Sequence, residues 1–450
     1  MAPQPTPVSD SIVEFLAAAR TRVYPPEVIA AARMCLVDWA GVAIGAADEA
    51  PGTILRDAMH EPGAAMLLSG GTAGSTAAAL INGTLAHTLD FDDTHVASLT
   101  HISGPTWAAT LALASRLDDD DADLLGAFIS GFEVGGRLGR IVGPALLERG
   151  VHATAVIGGL AATAAGCALL GLDETQTASA LGLAATQAGG LTISFGTMAK
   201  PFHAGKAAMN AVIAVQLARA GFTASHEALD NSKGLAAALI QDRSQSFCPL
   251  TSERWQILGN TFKPYASCLL THASIDCARD LSAARNGAAI ERVVAEVHPL
   301  AIELAGKTQP RTPLEAKFSL VFCIALGLKG YTASAADFSS TRLQDTGIQQ
   351  IAERVKLKAE PSLRETAARI SLTTHNGLQH EAETPFALGN PENPMRWPDM
   401  KAKFIALTER RLRASADALF ERLRTVERAS DLAAVARYCA AVNGAAEASE

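Results

Sequence analysis

Six ionisable side chains lie between residues 87 and 101, in a stretch that small and apolar residues flank on both sides. Three are histidines and three are aspartates: His87, Asp90, Asp92, Asp93, His95 and His101. Imidazole groups titrate near neutral pH and can transfer protons, and together with carboxylates they can also bind Zn, Fe or Mn. The spacing matches neither a zinc-protease helix nor an EF-hand loop. Acid–base chemistry, a metal site and simple capping of a helix end therefore stay open as interpretations of this cluster.

A second set of basic residues lies near position 200. Lys200, His203 and Lys206 surround the start of a strongly helical run from 207 to 220. Because the N-terminus of a helix attracts anions, we expect these residues to form an anion site. His203 follows a Pro-Phe pair, and on its own it is predicted to be structural.

The composition excludes several classes of function. The chain has 450 residues, of which 48% are hydrophobic and 19% are charged, with a net charge of -8. No run of Lys or Arg stands out, which argues against nucleic-acid binding. An acidic chain that binds an anionic substrate needs a local cluster of basic groups.

Cysteine usage and apolar segments indicate a cytoplasmic protein with no membrane partner. The seven cysteines are odd in number and form no CxxC pair, so we expect reduced thiols. The polar N-terminal residues contain no apolar signal-peptide region. Charges or glycines interrupt the apolar segments before 18 residues, so no membrane-spanning helix is predicted.

The hydrophobic pattern predicts a mainly α fold with two domains. Residues 1–258 and 394–450 are predicted to form a large all-helical domain, in which a helix from 75 to 89 delivers His87 and Asp90 and another begins at His152. Residues 259–393 are predicted to form a smaller α+β lid inserted before the C-terminal helices. The cleft between the two is the expected place for the active site.

The predicted lid has strands at four places and one helix. The helix runs from 312 to about 327 and begins with a capping box and Pro313. An Asn-Gly pair at 376–377 predicts a hairpin between the last two strands. The strands are predicted at 293–298, 355–358, 370–374 and 378–382.

Five motifs, in order, resemble those of the MmgE/PrpD family and span most of the chain. This family includes 2-methylcitrate dehydratase, cis-aconitate decarboxylase and iminodisuccinate epimerase. The resemblance implies a cofactor-independent homodimer with a large helical domain and a smaller α+β lid. The motifs are NGTLAHTLDFDDT at 82–94, GVHAT at 150–154, GTMAKPFHAGKAA at 196–208, KPYASCLLTH at 263–272 and EAKFS at 315–319.

The resemblance also implies which residues form the site. Asp90 and Thr94 match the Asp and Thr of the family's DFDDT motif, and Lys200 matches the Lys of its KPxH motif. His101 and His152 match two active-site histidines.

The sequence departs from the family pattern at three positions. Ile102 and Ala153 replace prolines that usually follow the two histidines. At Cys268 the decarboxylase members have His, whereas epimerase-like members carry Cys. The third departure argues against cis-aconitate decarboxylation.

The chemistry of the implied substrates assigns roles to these residues. Removing a proton next to a carboxylate builds negative charge on that group, which Lys200, His152 or His101 can stabilise. His101 is our first choice for the base, since imidazole titrates near neutrality. Asp90 would orient His101 or Lys200, or accept a hydrogen bond from a substrate hydroxyl. The predicted substrate-binding residues are Thr94, Cys268, His272 and Lys263.

We therefore predict a lyase that acts on a small di- or tricarboxylate without a metal or cofactor. Dehydration of a 2-methylcitrate-like hydroxy acid is the first hypothesis, and epimerisation of an iminodisuccinate-like dicarboxylate is the second. Decarboxylation, a metal-dependent hydrolase and a non-catalytic helical scaffold are the remaining alternatives. A homodimer is expected from the resemblance and from the Ala/Gly-rich helices.

Overall fold

The computed structural model describes residues 8–59, 61–117, 120–240 and 254–444. Between residues 8 and 240, most of the described chain is helical. Local sequence explains several helix starts: Pro26 occupies the first turn of its helix, and Asp173 forms a capping box with Gln176. The helices of this part are α1 Val8–Ala17, α2 Pro26–Gly45, α3 Ala50–Ala58, α4 Ser75–Thr88, α5 Ser103–Ala114, α6 Leu124–Glu148, α7 Ala153–Leu170, α8 Glu174–Gln187, α9 Ala199–Arg219 and α10 Leu235–Ile240.

Two short strand pairs accompany these helices. β1 (Ala65–Met66) pairs with β2 (Thr72–Ala73), and β3 (Thr94–His95) pairs with β4 (Asn260–Thr261). The sequence did not predict either pair. The second pair joins the 90–95 segment to a segment that precedes Lys263.

A four-stranded sheet lies in the second half of the chain, in the order β6-β5-β7-β8. β5 runs parallel to β6 and antiparallel to β7, and β7 and β8 form the predicted hairpin. Gly377 takes a positive φ of 82° in its turn, as an Asn-Gly hairpin requires. The strands are β5 Ile290–Val297, β6 Val355–Ala359, β7 Ala368–Thr374 and β8 Gln379–Thr384.

Alternating residues of this sheet face a layer of helices. In β7, the side chains of Ala368, Ile370 and Leu372 are buried, and the residues between them are more exposed. Helix α11 packs on β7 and β8, and α14 packs on α11. The helices after residue 254 are α11 His272–Ala284, α12 Pro299–Ala305, α13 Pro313–Ala316, α14 Leu320–Leu328, α15 Ser340–Leu343, α16 Thr346–Ala352, α17 Trp397–Leu412, α18 Ser415–Leu423 and α19 Leu432–Gly444.

The predicted helix from 312 to 327 is corrected to two helices. Thr312 caps α13 as expected, but α13 ends at Ala316, and Ser319 then accepts from the Phe322 N–H to cap α14. A serine in the middle of a predicted helix can end it by capping the next one. The break turns Lys317 towards the segment near Asp90, as described below.

The structure confirms a mainly α protein with a smaller α+β part, and 60% of it is helical. The four-stranded sheet lies wholly within the predicted lid segment. Helix α17 packs on α2, which is the return of the C-terminal segment that the pattern predicted. The domain boundaries themselves stay a prediction.

Two helices are long and apolar enough to span a membrane by length and composition alone. They are α2 and α7, contrary to the expectation that no apolar segment reaches 18 residues. Within the structure, 67% of the apolar window in α2 and 94% of that in α7 is buried. Core helices surrounded by other helices have the same composition, so this finding is weak support for a membrane span.

Two glycines bring α4 and α9 close together, and these helices carry His87 and Lys200. A Cβ added to Gly83 would lie 2.8 Å from the Gly205 Cα. A Cβ on Gly205 would lie 2.2 Å from both the Leu80 carbonyl oxygen and the Thr84 hydroxyl oxygen. Both helices therefore need glycine at their crossing point.

We expect Gly205→Ala to lower the free energy of unfolding by about 1–3 kcal/mol, because the methyl group overpacks this crossing. The matched control is Gly189→Ala, since a Cβ there would meet nothing within 4 Å. Chemical denaturation of both variants measures the difference. Equal stability of the two variants would contradict a close crossing.

Candidate active site

The backbone turn at Asp90 is strained and is held in place by its surroundings. Helix α4 ends at Thr88, and Asp90 then takes a positive φ of 51°. Among non-glycine residues, Asp and Asn tolerate this region best. The Lys263 ammonium donates to the Asp90 carbonyl oxygen over 2.9 Å and to Oδ1 over 3.0 Å, so one buried cation fixes both the turn and its side chain.

Two more lysines contact the neighbouring carbonyl oxygens. Lys317 donates to the Leu89 carbonyl, and Lys403 donates to the Phe91 carbonyl over 2.6 Å. Burial lowers the pKa of Lys317 to about 8, against the opposing effect of Asp90. Three lysines from the second half of the chain thus bind three successive carbonyls of the segment 89–91.

Asp90 forms a buried ion-pair cluster with two lysines. Its Oδ1 accepts from Lys200 over 2.9 Å and from Lys263 over 3.0 Å. Burial alone would raise the pKa of Asp90, but Lys200 and Lys263 hold it below its usual value. Asp90 Oδ2 is also buried and contacts no donor among the described residues, which leaves it able to accept a bond from a substrate group.

Two histidines share one carboxylate. His87 Nδ1 lies 2.8 Å from Asp92 Oδ2, and His101 Nδ1 lies 3.1 Å from the same oxygen. Their rings meet edge to face, with centroids 4.4 Å apart. Because an ionised carboxylate can only accept, we assign the proton of both neutral rings to Nδ1. This leaves His101 Nε2 unprotonated, in the form that a general base needs.

The pKa shifts support neutral imidazoles beside an ionised Asp92. Burial lowers the pKa of His87 to about 3, although Asp92 opposes this. Burial also lowers the pKa of His101, with Asp92 again opposing. The pKa of Asp92 lies well below its usual value because the two histidines outweigh its burial.

A second imidazole pair lies beside the first. His152 Nδ1 is 3.1 Å from His203 Nδ1, and the ring of His152 stacks on His87 with centroids 5.9 Å apart. Burial, followed by the nearby Lys200, lowers the pKa of both His152 and His203. His203 was predicted to be structural, yet it is three residues after Lys200 on α9 and therefore shares its face. That spacing was the signal that could have found it.

Seven of the eight predicted site residues line one cavity: Asp90, Thr94, His101, His152, Lys200, Lys263 and Cys268. The cavity measures about 90 Å³, whereas one enclosed water needs roughly 10–15 Å³ by the same measure. The space therefore fits a small molecule. The residues come from distant parts of the chain, as the motif series predicted.

His272 does not line this cavity. It is fully buried, its Nε2 lies 3.2 Å from the Ser267 carbonyl oxygen, and its ring packs against Tyr265. Burial lowers its pKa to about 3. The predicted contact with substrate is corrected to a contact that supports the 263–272 segment.

Asp93 and His95 also lie away from the cavity. Asp93 Oδ2 accepts from Ser103 over 2.5 Å and from Asn260 over 2.6 Å, and burial followed by the nearby Asp38 raises its pKa to about 7. His95 Nδ1 lies 2.9 Å from the Ser98 hydroxyl. Both side chains stabilise the loop that follows Asp92.

The N-termini of two long helices lie at the cavity. His152 is the N-cap of α7 and makes no side-chain capping bond, and Ala153, its first helical residue, lines the cavity. Lys200 is the second residue of α9. The first N–H groups of a helix lack partners within it and attract anions, so the N-terminus of α7 and two lysines favour negative charge here. In α9 the N–H groups of Ala199 and Lys200 bond to Thr197, and Pro201 has none.

Comparison with known proteins identifies the relatives of this chain. The MmgE/PrpD N-terminal domain matches residues 10–248, and the MmgE/PrpD C-terminal domain matches residues 265–428. The chain belongs to the MmgE/PrpD family. It is 27% identical to the cis-aconitate decarboxylase of Mus musculus over 380 residues, which are 79% of this chain and 76% of that protein. The human cis-aconitate decarboxylase is 28% identical over 376 residues, covering 79% and 77% of the two chains.

A more distant relative is the cis-aconitate decarboxylase of Aspergillus terreus. It is 24% identical over 295 residues, which are 61% of this chain and 60% of that protein. These three relatives of this MmgE/PrpD chain are all named cis-aconitate decarboxylase, and each is less than 30% identical to it.

Two of the departures from the family pattern change the groups available at the cavity. Ala153 adds a backbone N–H, and Cys268 supplies a thiol. Ala153 occupies the first turn of α7 and keeps an N–H that a proline would lack. Cys268 lies at the cavity, and burial followed by Asp90 raises the pKa of its thiol, with Lys263 opposing. The thiol is therefore protonated at neutral pH and can donate a proton.

The histidine and aspartate cluster of this MmgE/PrpD protein also has the dimensions of a metal site. One ligand atom from each of His87, Asp92 and His101 lies within 4.8 Å of the others. Imidazole and carboxylate ligands suit Zn, Fe or Mn. The metal-dependent alternative thus has a defined place, and it competes with the shared hydrogen bonds described above.

Proposed function

We propose that this MmgE/PrpD protein is a lyase that removes a proton next to a carboxylate of a small polycarboxylate. Dehydration of a hydroxy acid is the preferred reaction, with no metal or cofactor. The observation that carries the proposal is the position of neutral His101 in the same cavity as Lys200, Lys263 and the N-terminus of α7. A base and an electropositive surface on one small cavity are what this chemistry requires.

His101 acts as the base in this proposal. Asp92 holds its Nδ1–H, so Nε2 takes the substrate proton, and Asp92 then stabilises the imidazolium that forms. The Thr94 hydroxyl lies 3.3 Å from His101 Nδ1 and also lines the cavity, where it can donate to a substrate carboxylate.

Negative charge develops on the carboxylate beside the carbon that loses its proton. Lys200 and the α7 N-terminus receive this charge. Asp90 orients Lys200 and Lys263, and its free Oδ2 accepts from the substrate hydroxyl. Fixed donors of this kind lower the barrier because they need no reorganisation during the reaction.

The leaving hydroxyl needs a proton as its C–O bond breaks. His152 lines the cavity, and its Nδ1 contacts His203. If His203 donates to that nitrogen, the His152 proton lies on Nε2. We assign a hydrogen bond from His152 Nε2–H to the leaving oxygen, while the proton that His101 took from the carbon passes to this oxygen, so that water leaves, a C=C bond forms and His101 returns to its neutral form.

Epimerisation is the second candidate, and the protonated Cys268 thiol favours it. A thiol at the cavity can return a proton to the opposite face of the carbon from which His101 removed one. Decarboxylation, the activity for which the relatives described above are named, is the third. A homodimer is proposed from the family resemblance and the Ala/Gly-rich helices, and light scattering that gave the mass of one chain would contradict it. A cytoplasmic location without nucleic-acid or membrane partners is proposed from the cysteine usage, charge and hydrophobic pattern of the sequence.

A proton-exchange screen in D₂O tests the proposed function. Purified protein is incubated with citrate, methylcitrate, aconitate and iminodisuccinate analogues, and NMR follows loss of the C–H signal next to a carboxylate. We expect exchange with at least one acid, together with formation of an alkene and water. Metal analysis of the same sample supplies the second readout, because stoichiometric Zn, Fe or Mn would favour the hydrolase alternative.

A further inference from the structure

The cavity has an apolar side that the proposed reaction does not use. Besides the charged and imidazole groups, Val96, Leu99, Leu147, Leu304 and Phe318 line it. We call these five residues the apolar wall. They can contribute no hydrogen bond through their side chains, so the part of a substrate that lies against them gains by being hydrocarbon.

We call the cavity that Asp90, His101 and Lys200 line the chamber. The apolar wall continues beyond it. Val96, Leu99 and Leu147 also line a neighbouring cavity of about 310 Å³. Three side chains shared by two cavities place the chamber and this second space side by side. A substituent too long for the chamber therefore has an apolar surface along which to extend.

The second cavity also has acidic lining residues, and it has no basic ones among the residues that the structure describes. Glu148, Glu303 and Glu365 line it, and all three are exposed. These carboxylates would repel a carboxylate on the substrate, while the apolar wall would remove its hydrating water without replacing the lost hydrogen bonds. The distal end of the substrate is therefore uncharged.

The charged groups of the chamber limit how many carboxylates a substrate can carry. Among the described residues that line it, Lys200 and Lys263 are the cations and Asp90 is the anion, so their formal charges add to +1. The N-terminus of α7 supplies further positive potential. This arrangement matches two carboxylates better than three.

From these contacts we infer that the substrate is a hydroxy dicarboxylic acid whose reacting carbon carries an uncharged alkyl group, and that this group lies along the apolar wall. The inference rests on the proposed function and narrows it. For a 2-alkylmalate, His101 takes a proton from C3, next to the C4 carboxylate. The hydroxyl leaves C2 as water, and an alkyl-substituted unsaturated dicarboxylate is formed.

The substrate series that tests this inference is malate, 2-methylmalate, 2-ethylmalate and 2-propylmalate, with citrate and 2-methylcitrate as tricarboxylates. Burial of each methylene on the wall should raise kcat/KM about fourfold. We expect 2-propylmalate to exceed both tricarboxylates. If citrate or 2-methylcitrate reacts fastest, the inference is overturned while the proposed function stands. If no acid exchanges or dehydrates, both are overturned.

A variant at the junction of the two cavities gives an independent readout. Leu147→Phe narrows the passage and should lower kcat/KM for 2-propylmalate at least fourfold more than it lowers kcat/KM for 2-methylmalate. Leu217→Phe is the matched control, because Leu217 is 38% exposed on α9 and does not line the cavity. The thermal midpoint of both variants reports whether they fold. An equal loss for both substrates would contradict an alkyl group on this wall.

Discussion

Replacement of His101 by asparagine should lower kcat/KM for the preferred acid by about 10²–10⁴-fold, the usual contribution of a positioned general base. The amide keeps a group that can bond to Asp92, but it cannot accept the substrate proton. Exchange of the C–H proton in D₂O should fall by the same factor, because the base acts in that step. Steady-state kinetics and NMR exchange measure the two effects.

The matched control is His375→Asn, since His375 lies in the exposed hairpin turn of β7 and β8. The pH profile gives a further readout. Burial lowers the pKa of His101 from 6.5, so the active neutral form should persist below pH 6.5 and activity should fall only at lower pH. An His101→Asn variant with wild-type exchange, or a wild-type acid limb above pH 6.5, would rule out His101 as the base.

The resemblance to the family's motif series was enough to predict most of the site. His101, His152 and Lys200 lie far apart in the sequence, yet their motifs placed them together, and the structure brings them to one cavity. These three residues lie at or next to the starts of α5, α7 and α9. A helix start can be recognised from the residues around it. Strand β5 was predicted for the same reason, because a β-branched run such as Ile290–Val297 carries its own signal.

Long-range contacts could not be predicted in this way. Lys317 and Lys403 bind the carbonyls of residues 89 and 91 from 228 and 312 positions away. Nothing near either lysine indicates its direction, because a long side chain on a helix or loop can equally point to solvent. The pairing of β3 with β4 is a similar case, since each strand has two residues and no pattern of its own.

His203 and His272 show why residue type alone misleads. Both lie within a motif, but His203 is one helical turn after Lys200 and contacts His152, whereas His272 begins α11 and is fully buried. The helix that contains His203 was predicted to begin only at residue 207. With its start placed at Ala199, the three-residue spacing would have placed His203 on the same helix face as Lys200.

Replacement of Asp90 by asparagine should have the largest effect on stability. Asn tolerates the positive φ of this position, so the loss of charge is isolated from backbone strain. The change leaves Lys263, which is 1% exposed, without its carboxylate partner. Removing one member of a buried ion pair costs about 3–5 kcal/mol, and chemical denaturation should show a loss of that size. Turnover should fall too, because Lys200 loses its orienting contact.

A double variant separates charge from packing. In Asp90→Asn with Lys263→Met, the buried unpaired ammonium is gone, so the double variant should be more stable than the sum of its single variants predicts, by about 0.5–3 kcal/mol. Lys358→Met is the control, since its pair with Glu296 lies on the surface, where ion pairs contribute little. Strict additivity of the Asp90 and Lys263 effects would mean that the two side chains do not act as a pair. The strained turn would then depend on the Lys263 bond to the Asp90 carbonyl alone.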